Sequence, residues 1–89
     1  MNDPAPYDVV ISLAGHDKGK YFMVTGREGP RLLLCDGKNR RLKNPKSKSP
    51  RHVRVARRGS QEPGSDKEIR KTIALAAGEA AAKEEILLG

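Results

Sequence analysis

The chain has 89 residues, of which 36% are hydrophobic and only three are aromatic, so it can bury one modest core and is too short to enclose a large substrate pocket. Lysine and arginine number 18 against 11 acidic residues, and the resulting net charge of +7 favours a polyanionic partner. The single cysteine excludes an internal disulfide framework and a multi-cysteine zinc site, and it fits a reducing, cytoplasmic location. No apolar run approaches the roughly 20 residues of a membrane span, and we expect no secretory signal.

Short segments with the alternation or composition of β-strands fill the first 58 residues. In the first of them, residues 8–14, the side chains of Val9, Ile11 and Leu13 alternate with smaller ones and are expected to share a buried face. A chain with so many short strands avoids exposed sheet edges best by closing into a small barrel, so a mainly β, SH3-like barrel is expected. The expected strands are 8–14, 21–25, 31–35, 39–43 and 51–56, with turns at 15–20 and 26–30 and a loop at 44–50.

The last third of the chain changes to a helical period. Ser65 and Glu68 form a capping box, which predicts that a helix begins there. Apolar residues then follow at helical spacing. The interior Gly78 costs about 1 kcal/mol relative to alanine, so the helix could stop there, bend or run on, and its C-terminal end is expected to fray. The stripe expected to pack on the barrel comprises Ile69, Ile73, Ala76 or Ala77, and Ala80. The predicted organisation is a disordered N-terminus at 1–6, a barrel at 7–58, a linker at 59–64 and a helix at 65–89.

Positive charge is concentrated in the first two thirds of the chain. Residues 1–60 carry 14 basic and 5 acidic side chains, whereas residues 61–89 carry 4 basic and 6 acidic ones. Within 36–58, ten basic side chains face only one carboxylate, that of Asp36. This asymmetry predicts one surface that faces nucleic acid. Because stacking on bases needs aromatic platforms, we expect phosphate and shape recognition rather than the reading of splayed bases.

The turn at residues 15–20 has two interpretations. Gly15 and Gly19 permit a close approach of the backbone, and exposed N–H groups beside Lys18 and Lys20 would suit a phosphate. The alternative is an ordinary tight turn with solvated lysines. A nucleotide triphosphate loop is excluded, because the two glycines are too close together and no serine or threonine follows the lysine.

Catalytic and metal-binding chemistry has weak support in the sequence. Cys35 is the only thiol, and the imidazole considered with it is that of His52; the other histidine is His16. Cys35 continues an apolar strand. We therefore interpret Cys35 as a buried strand residue. No general base, oxyanion donor or ligand spacing accompanies it, so we expect no catalytic residue, no cofactor and no metal.

The segment 14–24, an apolar strand followed by a Gly/Lys-rich turn and a second strand, resembles the KOW motif. Together with the segments 34–42, 45–53 and 65–71, it is similar to bacterial KOW-domain RNA-binding proteins, relatives of KOW-containing ribosomal large-subunit proteins of archaea and eukaryotes. The resemblance implies an SH3-like barrel, RNA binding and a tie to ribosomes or translation. It matches Gly15, Lys18, Gly19 and Lys20 to the motif turn and Lys38, Arg40, Arg41, Lys46 and Lys48 to basic positions; His16 stands where arginine is common. With the remaining basic positions, the expected RNA-binding residues are Gly15, His16, Lys18, Gly19, Lys20, Lys38, Arg40, Arg41, Lys43, Lys46, Lys48, Arg51 and Arg54.

Two other classes of function stay open at this stage. A protein-interaction adaptor would use the barrel to bind a peptide, but such a site usually needs a groove lined by aromatic residues. A DNA-binding role would need the same positive charge as RNA binding. No DNA-recognition helix is evident, because the one predicted helix is not basic. Membrane attachment has the least support, because the helix lacks a Lys/Arg-rich polar face and aromatic anchors.

Overall fold

A computed structural model of the chain describes residues 3–88, with side chains described for residues 3–81. The chain forms five strands, a short 3-10 turn and one long helix. These elements are β1 (Val9–Ser12), β2 (Tyr21–Glu28), β3 (Arg31–Cys35), β4 (Lys46–Lys48), the 3-10 turn (Pro50–His52), β5 (Val53–Arg57) and α1 (Asp66–Leu88).

The five strands form one antiparallel sheet in the order β4-β3-β2-β1-β5. The predicted mainly β fold, with about five strands and a C-terminal helix, is confirmed. The strand order is compatible with an SH3-like barrel, although in the described part of the chain no backbone pairing joins the edge strands β4 and β5.

The core has two layers because alternate residues of a strand face opposite sides of the sheet. Inside the curved sheet, Phe22 and Val24 pack with Leu32 and Leu34. On the outer side, Met23 and Cys35 pack against Ile69 of α1, with Ile73 partly buried beside them. Ala76 is also buried, so the predicted stripe of α1 does face the sheet.

The sequence predicts the wrong inward-facing residues for β1. Val10, not Val9 and its alternates, belongs to the cluster inside the sheet, while Leu13 is 44% exposed. Val9 is nevertheless fully buried. Because α1 contacts the outer side of β1, both faces of this strand are covered and alternation no longer identifies the inner one.

The position of the fourth strand also differs from the prediction. Residues 39–43 form no strand, and β4 lies instead at Lys46–Lys48, inside the predicted loop. Its register with β3 pairs Leu33 with Ser47. The sequence of β4 has no apolar residue, which is why its pattern does not predict a strand.

The second strand is longer than predicted. It continues through the segment expected to turn and ends at Glu28, with a shift of register between Val24 and Gly26. Such a bulge accommodates one extra residue and increases the local twist of the strands. The turn itself is reduced to Gly29 and Pro30.

The N-terminal residues contact the sheet and the segment that follows β5. Asp8 is fully buried, and its carboxylate accepts hydrogen bonds from the Arg58 guanidinium (2.7 Å) and from the backbone N–H groups of Gly59 and Ala5 (both 2.9 Å). Pro4 is buried as well. Residues 3–6, expected to belong to a disordered N-terminus, thus have defined contacts; residues 1–2 lie outside the described part of the chain.

The helix begins with the predicted cap and passes through Gly78. The backbone N–H of Glu68 donates to the Ser65 hydroxyl (3.3 Å), but the Glu68 carboxylate accepts from Gly64 rather than from Ser65. The backbone continues as helix to Leu88. The predicted fraying concerns residues whose side chains lie outside the described part.

The first turn of α1 touches the loop between β3 and β4. Gly37 has a φ of +80°, and a β-carbon at this position would lie 2.5 Å from the carbonyl oxygen of Asp66. The Arg70 guanidinium donates to the Gly37 carbonyl (2.6 Å), and the Leu42 backbone N–H donates to the Asp66 carboxylate (2.8 Å). Only glycine allows both this conformation and this approach.

Substitution of Gly37 therefore tests the docking of the helix. We expect Gly37→Ala to lower the free energy of unfolding by about 1–3 kcal/mol, because alanine is strained at this φ and collides with α1. Urea denaturation measures the change. The matched control is Gly78→Ala. A β-carbon at this position has no neighbouring atom within 4 Å, so the substitution should stabilise the protein by up to about 1 kcal/mol. An unchanged stability of Gly37→Ala would contradict the docking contact.

Candidate nucleic-acid interface

Two basic loops lie at the same end of the sheet. In an antiparallel meander, the loop from β1 to β2 (13–20) and the loop from β3 to β4 (36–45) must emerge at one end. A cleft of about 120 Å³ lies between them, lined by Lys20 from the first loop, Arg40 from the second and Lys46 from β4. The fold thus brings together basic residues that are distant in sequence.

A buried carboxylate lies beneath this end of the sheet. Asp17 is only 6% exposed, and it accepts hydrogen bonds from the Ser12 hydroxyl (2.6 Å) and the Lys48 ammonium (2.8 Å), while Lys46 pairs with its other oxygen. The Lys48 ammonium also donates to the carbonyl oxygen of Ala14 (2.8 Å). We call Asp17, Lys46 and Lys48 the buried ion cluster. It connects β4 to the β1–β2 loop.

The electrostatics of the cluster favour the charged form of Asp17. Burial alone would raise the pKa of this carboxyl group, but the hydrogen bonds from Lys46, Lys48 and Ser12 outweigh burial and hold the pKa well below its usual range. The carboxylate is therefore ionised throughout the physiological range. With two lysines against one carboxylate, the cluster retains one positive charge.

The buried ion cluster gives two of the predicted RNA-binding residues a structural role. Lys48 is 8% exposed, and its ammonium is directed at Asp17 and Ala14. The Lys48 ammonium is therefore occupied by contacts within the fold. The Lys46 side chain is 30% exposed and also lines the cleft, so it belongs to both the cluster and the cleft.

Backbone N–H groups of the turn at residues 15–20 donate hydrogen bonds within the turn and to the end of β1. The N–H groups of Lys18, Gly19 and Lys20 donate to the carbonyl oxygens of Gly15, Ser12 and Asp17, at 3.2, 2.8 and 2.9 Å. Of the two interpretations of this turn, these hydrogen bonds favour the ordinary tight turn with solvated lysines. Gly15 and Gly19 have positive φ and shape the turn, which leaves His16, Lys18 and Lys20 exposed.

The β3–β4 loop is held by carboxylates from two sides. Oδ1 of Asp36 accepts the backbone N–H groups of Lys38 and Arg40, both at 2.8 Å. From the other side, Asp66 of α1 accepts the N–H of Leu42. These bonds replace the strand ladder that was expected for residues 39–43, and they fix the backbone from which the basic side chains project.

The two loops present a set of six cations that we call the loop cation cluster. Five of the six are exposed, and Arg40 is half-buried in the cleft. None of them forms an ion pair with a carboxylate of residues 3–81. Arg41 does donate to the Lys38 carbonyl oxygen at 3.2 Å. The cluster comprises Lys18, Lys20, Lys38, Arg40, Arg41 and Lys43.

Two further predicted residues lie at a distance from these loops along the chain. Arg51 is exposed in the 3-10 turn, and Arg54 is exposed on β5 opposite Ile11. Neither lines the cleft between the loops. They extend the basic surface toward the β5 edge.

Sequence reasoning missed Asp17 and Arg70. Asp17 resembles any polar turn residue, and only the two lysines at alternate positions of β4 hint that a buried partner faces them. Arg70 lies one turn into α1, in a segment whose overall charge is acidic. It joins the basic end of the sheet only because Gly37 allows the helix to dock there.

The structure offers little for catalysis at the candidate nucleophile. Cys35 is fully buried, as predicted, and burial raises the pKa of its thiol. Its sulfur contacts the Thr25 hydroxyl and the Arg41 carbonyl oxygen. Within the described residues no group of three or more His, Cys, Asp or Glu side chains is arranged to hold a metal ion. No described helix has the length and apolarity needed to cross a membrane.

Comparison with known proteins gives no further assignment. No protein-family model matches the chain, and no curated protein matches it with significance. The resemblance to KOW-domain proteins therefore stays a prediction.

The buried ion cluster can be tested by removing its carboxylate. We expect Asp17→Asn to lower the free energy of unfolding by about 3–5 kcal/mol, because Lys48 would keep a buried charge without a partner. Asp3→Asn is the control: its ion pair with Arg27 is exposed, so we expect a change of about 0–1 kcal/mol. Denaturation in urea compares the two. Equal, small effects would show that the cluster does not hold the fold.

The same cluster predicts a loss of stability in acid. The pKa of Asp17 is 3.8 in its ordinary state and lower in the folded protein, so the unfolded chain binds more protons between these values. The contribution of Asp17 is complete above about pH 4 and is lost as the pH falls below it, by up to about 1.4 kcal/mol per pH unit. Unfolding of the wild type and of Asp17→Asn at a series of pH values isolates this contribution. Parallel curves would contradict it.

Proposed function

We propose that this protein is a non-enzymatic RNA-binding module that holds the phosphate backbone through its loop cation cluster. The observation that carries the proposal is the convergence of six cations without carboxylate partners among residues 3–81 at one end of the sheet. Such a density of positive charge binds a polyanion and releases its counterions.

Two features favour this function over an adaptor. The three aromatic side chains do not form a cage: Phe22 is in the core, whereas Tyr7 and Tyr21 line separate clefts. The cations, in contrast, project from loops, and the backbone of the β3–β4 loop is fixed by hydrogen bonds that it donates to the carboxylates of Asp36 and Asp66. Fixed loops with mobile cationic side chains suit a phosphate backbone better than a peptide.

The resemblance to KOW-domain proteins adds the biological context of the proposal. It supports a partner in ribosomal RNA, with the large ribosomal subunit as the candidate assembly, and a cytoplasmic location. The five-stranded antiparallel sheet is compatible with the barrel of that group.

Replacing two cations of the loop cluster tests the phosphate contacts. Arg40→Ala/Arg41→Ala should weaken binding to all RNA sequences alike. If the wild type neutralises about five phosphates of a single strand, its log–log slope of affinity against salt is about −3.5, and the variant should be flatter by about 1.4. Fluorescence anisotropy with labelled RNAs over a range of KCl concentrations measures both quantities.

The matched control removes the same net charge from another surface. Lys67 and Lys71 are exposed on α1, and neither belongs to the loop cation cluster. Lys67→Ala/Lys71→Ala should leave the slope close to that of the wild type. Equal losses in the two double variants would indicate that only net charge matters, and a loss confined to one RNA sequence would contradict backbone recognition.

Sedimentation of a cell lysate tests the ribosomal context. We expect the tagged protein to co-migrate with large subunits at low salt and to leave them after RNase treatment. Absence from every RNA-containing fraction would contradict the proposal, and co-migration that survives nuclease and high salt would favour a protein partner.

A further inference from the structure

A second groove, beside the loop cation cluster, combines an aromatic ring with positive charge. It has a volume of about 450 Å³, within the roughly 300–1,000 Å³ typical of small-ligand sites. The end of the β1–β2 loop supplies Lys20, the first position of β2 supplies Tyr21, the β3–β4 loop supplies Lys38 and Asn39, and α1 supplies Arg70 and Ile73.

The groove combines apolar and cationic side chains. Ile73 is partly buried on the cluster of Met23, Cys35 and Ile69, so it forms a fixed aliphatic surface. The ring of Tyr21 is half-buried at the first position of β2, where the sheet register with Ile11 fixes its backbone. A flat, partly apolar group therefore finds an aromatic and an aliphatic neighbour in the same groove.

Three cations and one carboxylate line the groove. Lys20, Lys38 and Arg70 form no ion pair with a carboxylate of residues 3–81. Arg70 uses one guanidinium nitrogen on the Gly37 carbonyl, which leaves further donors for a ligand. The carboxylate belongs to Asp36, and one of its oxygens already accepts two backbone N–H groups. The lining thus has a net charge of +2.

From this combination we infer that the groove binds one unpaired nucleotide of an RNA strand. Its base stacks on Tyr21, and the phosphates on either side of it contact Lys20, Lys38 and Arg70. The ring supplies a stacking surface, the cations supply phosphate contacts, and the Asn39 amide offers a donor and an acceptor to a base edge. The inference rests on the proposed function and extends it, because it assigns the protein a preference for single-stranded RNA over a duplex.

The preference follows from access to the base. In an RNA duplex each base is stacked between its neighbours, and only phosphates, sugars and groove edges are available. A duplex can still meet the loop cation cluster, since Lys18, Arg41 and Lys43 are exposed. A single strand meets that cluster and in addition places one base on Tyr21.

Two substitutions at Tyr21 test the stacking. Tyr21→Leu keeps a bulky apolar side chain but removes the ring, and we expect it to weaken binding of a short oligo(U) by about fivefold or more, the lower end of one base–aromatic stack. Its affinity for an RNA duplex should not change. Tyr21→Phe keeps the ring and should bind the oligonucleotide like the wild type. Thermal unfolding of all three proteins confirms that they are folded.

Salt dependence separates this proposal from the previous one. Stacking releases no counterions, so Tyr21→Leu should keep the wild-type salt slope, whereas Arg40→Ala/Arg41→Ala should flatten it. If Tyr21→Leu binds oligo(U) as tightly as the wild type while the double arginine variant is weakened, the groove proposal is overturned and the phosphate proposal stands. If the wild type binds neither RNA at low salt, the proposed function itself fails.

Tyrosine fluorescence gives a direct readout of the contact. The chain has no tryptophan, so in a Tyr7→Phe background Tyr21 is the only strong emitter. We expect oligo(U) to quench this emission and a poly-glutamate peptide not to do so. Quenching by the peptide at comparable concentration, or none by oligo(U) under binding conditions, would overturn the assignment to a nucleotide.

Discussion

The buried pairing of Asp17 with two lysines is the interaction on which the rest of this structure depends. The sheet has two edge strands, β4 and β5, that no ladder joins among the described residues, and β4 has only three residues. The ammonium of Lys48 crosses from β4 to Asp17 and to the carbonyl oxygen of Ala14, both at 2.8 Å. The buried ion cluster thus ties the edge strand β4 to the β1–β2 loop by an ionic contact. A contact of this kind depends on protonation, whereas a strand ladder does not.

The basic residues divide unequally between internal contacts and the exposed surface. Lys48 is enclosed and serves the fold, Lys46 contributes to both, and exposed residues such as Lys18 and Lys43 have no carboxylate partner among residues 3–81. Total charge therefore overstates the surface available to a polyanion. The surplus positive charge of the buried ion cluster nevertheless adds to the potential at that end of the sheet.

The parts of the fold that follow apolar periodicity could be predicted from the sequence. The stripe of Ile69, Ile73 and Ala76, the inward Val53 and the buried Cys35 all obey it. The fourth strand could not be found this way, because its inward residues are lysines that become tolerable only through a carboxylate 29 and 31 positions away. The inner face of β1 was hidden by a different cause, the helix that covers its outer side.

The candidate site, too, could be predicted from the sequence only in part. The basic composition of residues 36–58 locates four of the six members of the loop cation cluster. Charge alone does not indicate which basic side chains form ion pairs inside the protein. Nor does the sequence place Arg70 beside Tyr21, since that neighbourhood depends on the angle at which α1 meets the sheet. Gly37, the residue that permits this approach, is visible in the sequence only as half of an Asp-Gly turn.

The contact between Asp66 and Leu42 has a consequence for the order in which the protein matures on the ribosome. Residues 36–42 are synthesised well before residues 66–70, yet the loop donates a hydrogen bond to Asp66, accepts one from Arg70 and packs closely against that later segment. While the chain is still emerging, the sheet can assemble before its basic loop acquires a fixed backbone. The basic end of the sheet is therefore completed last, after the first turn of α1 has left the exit tunnel.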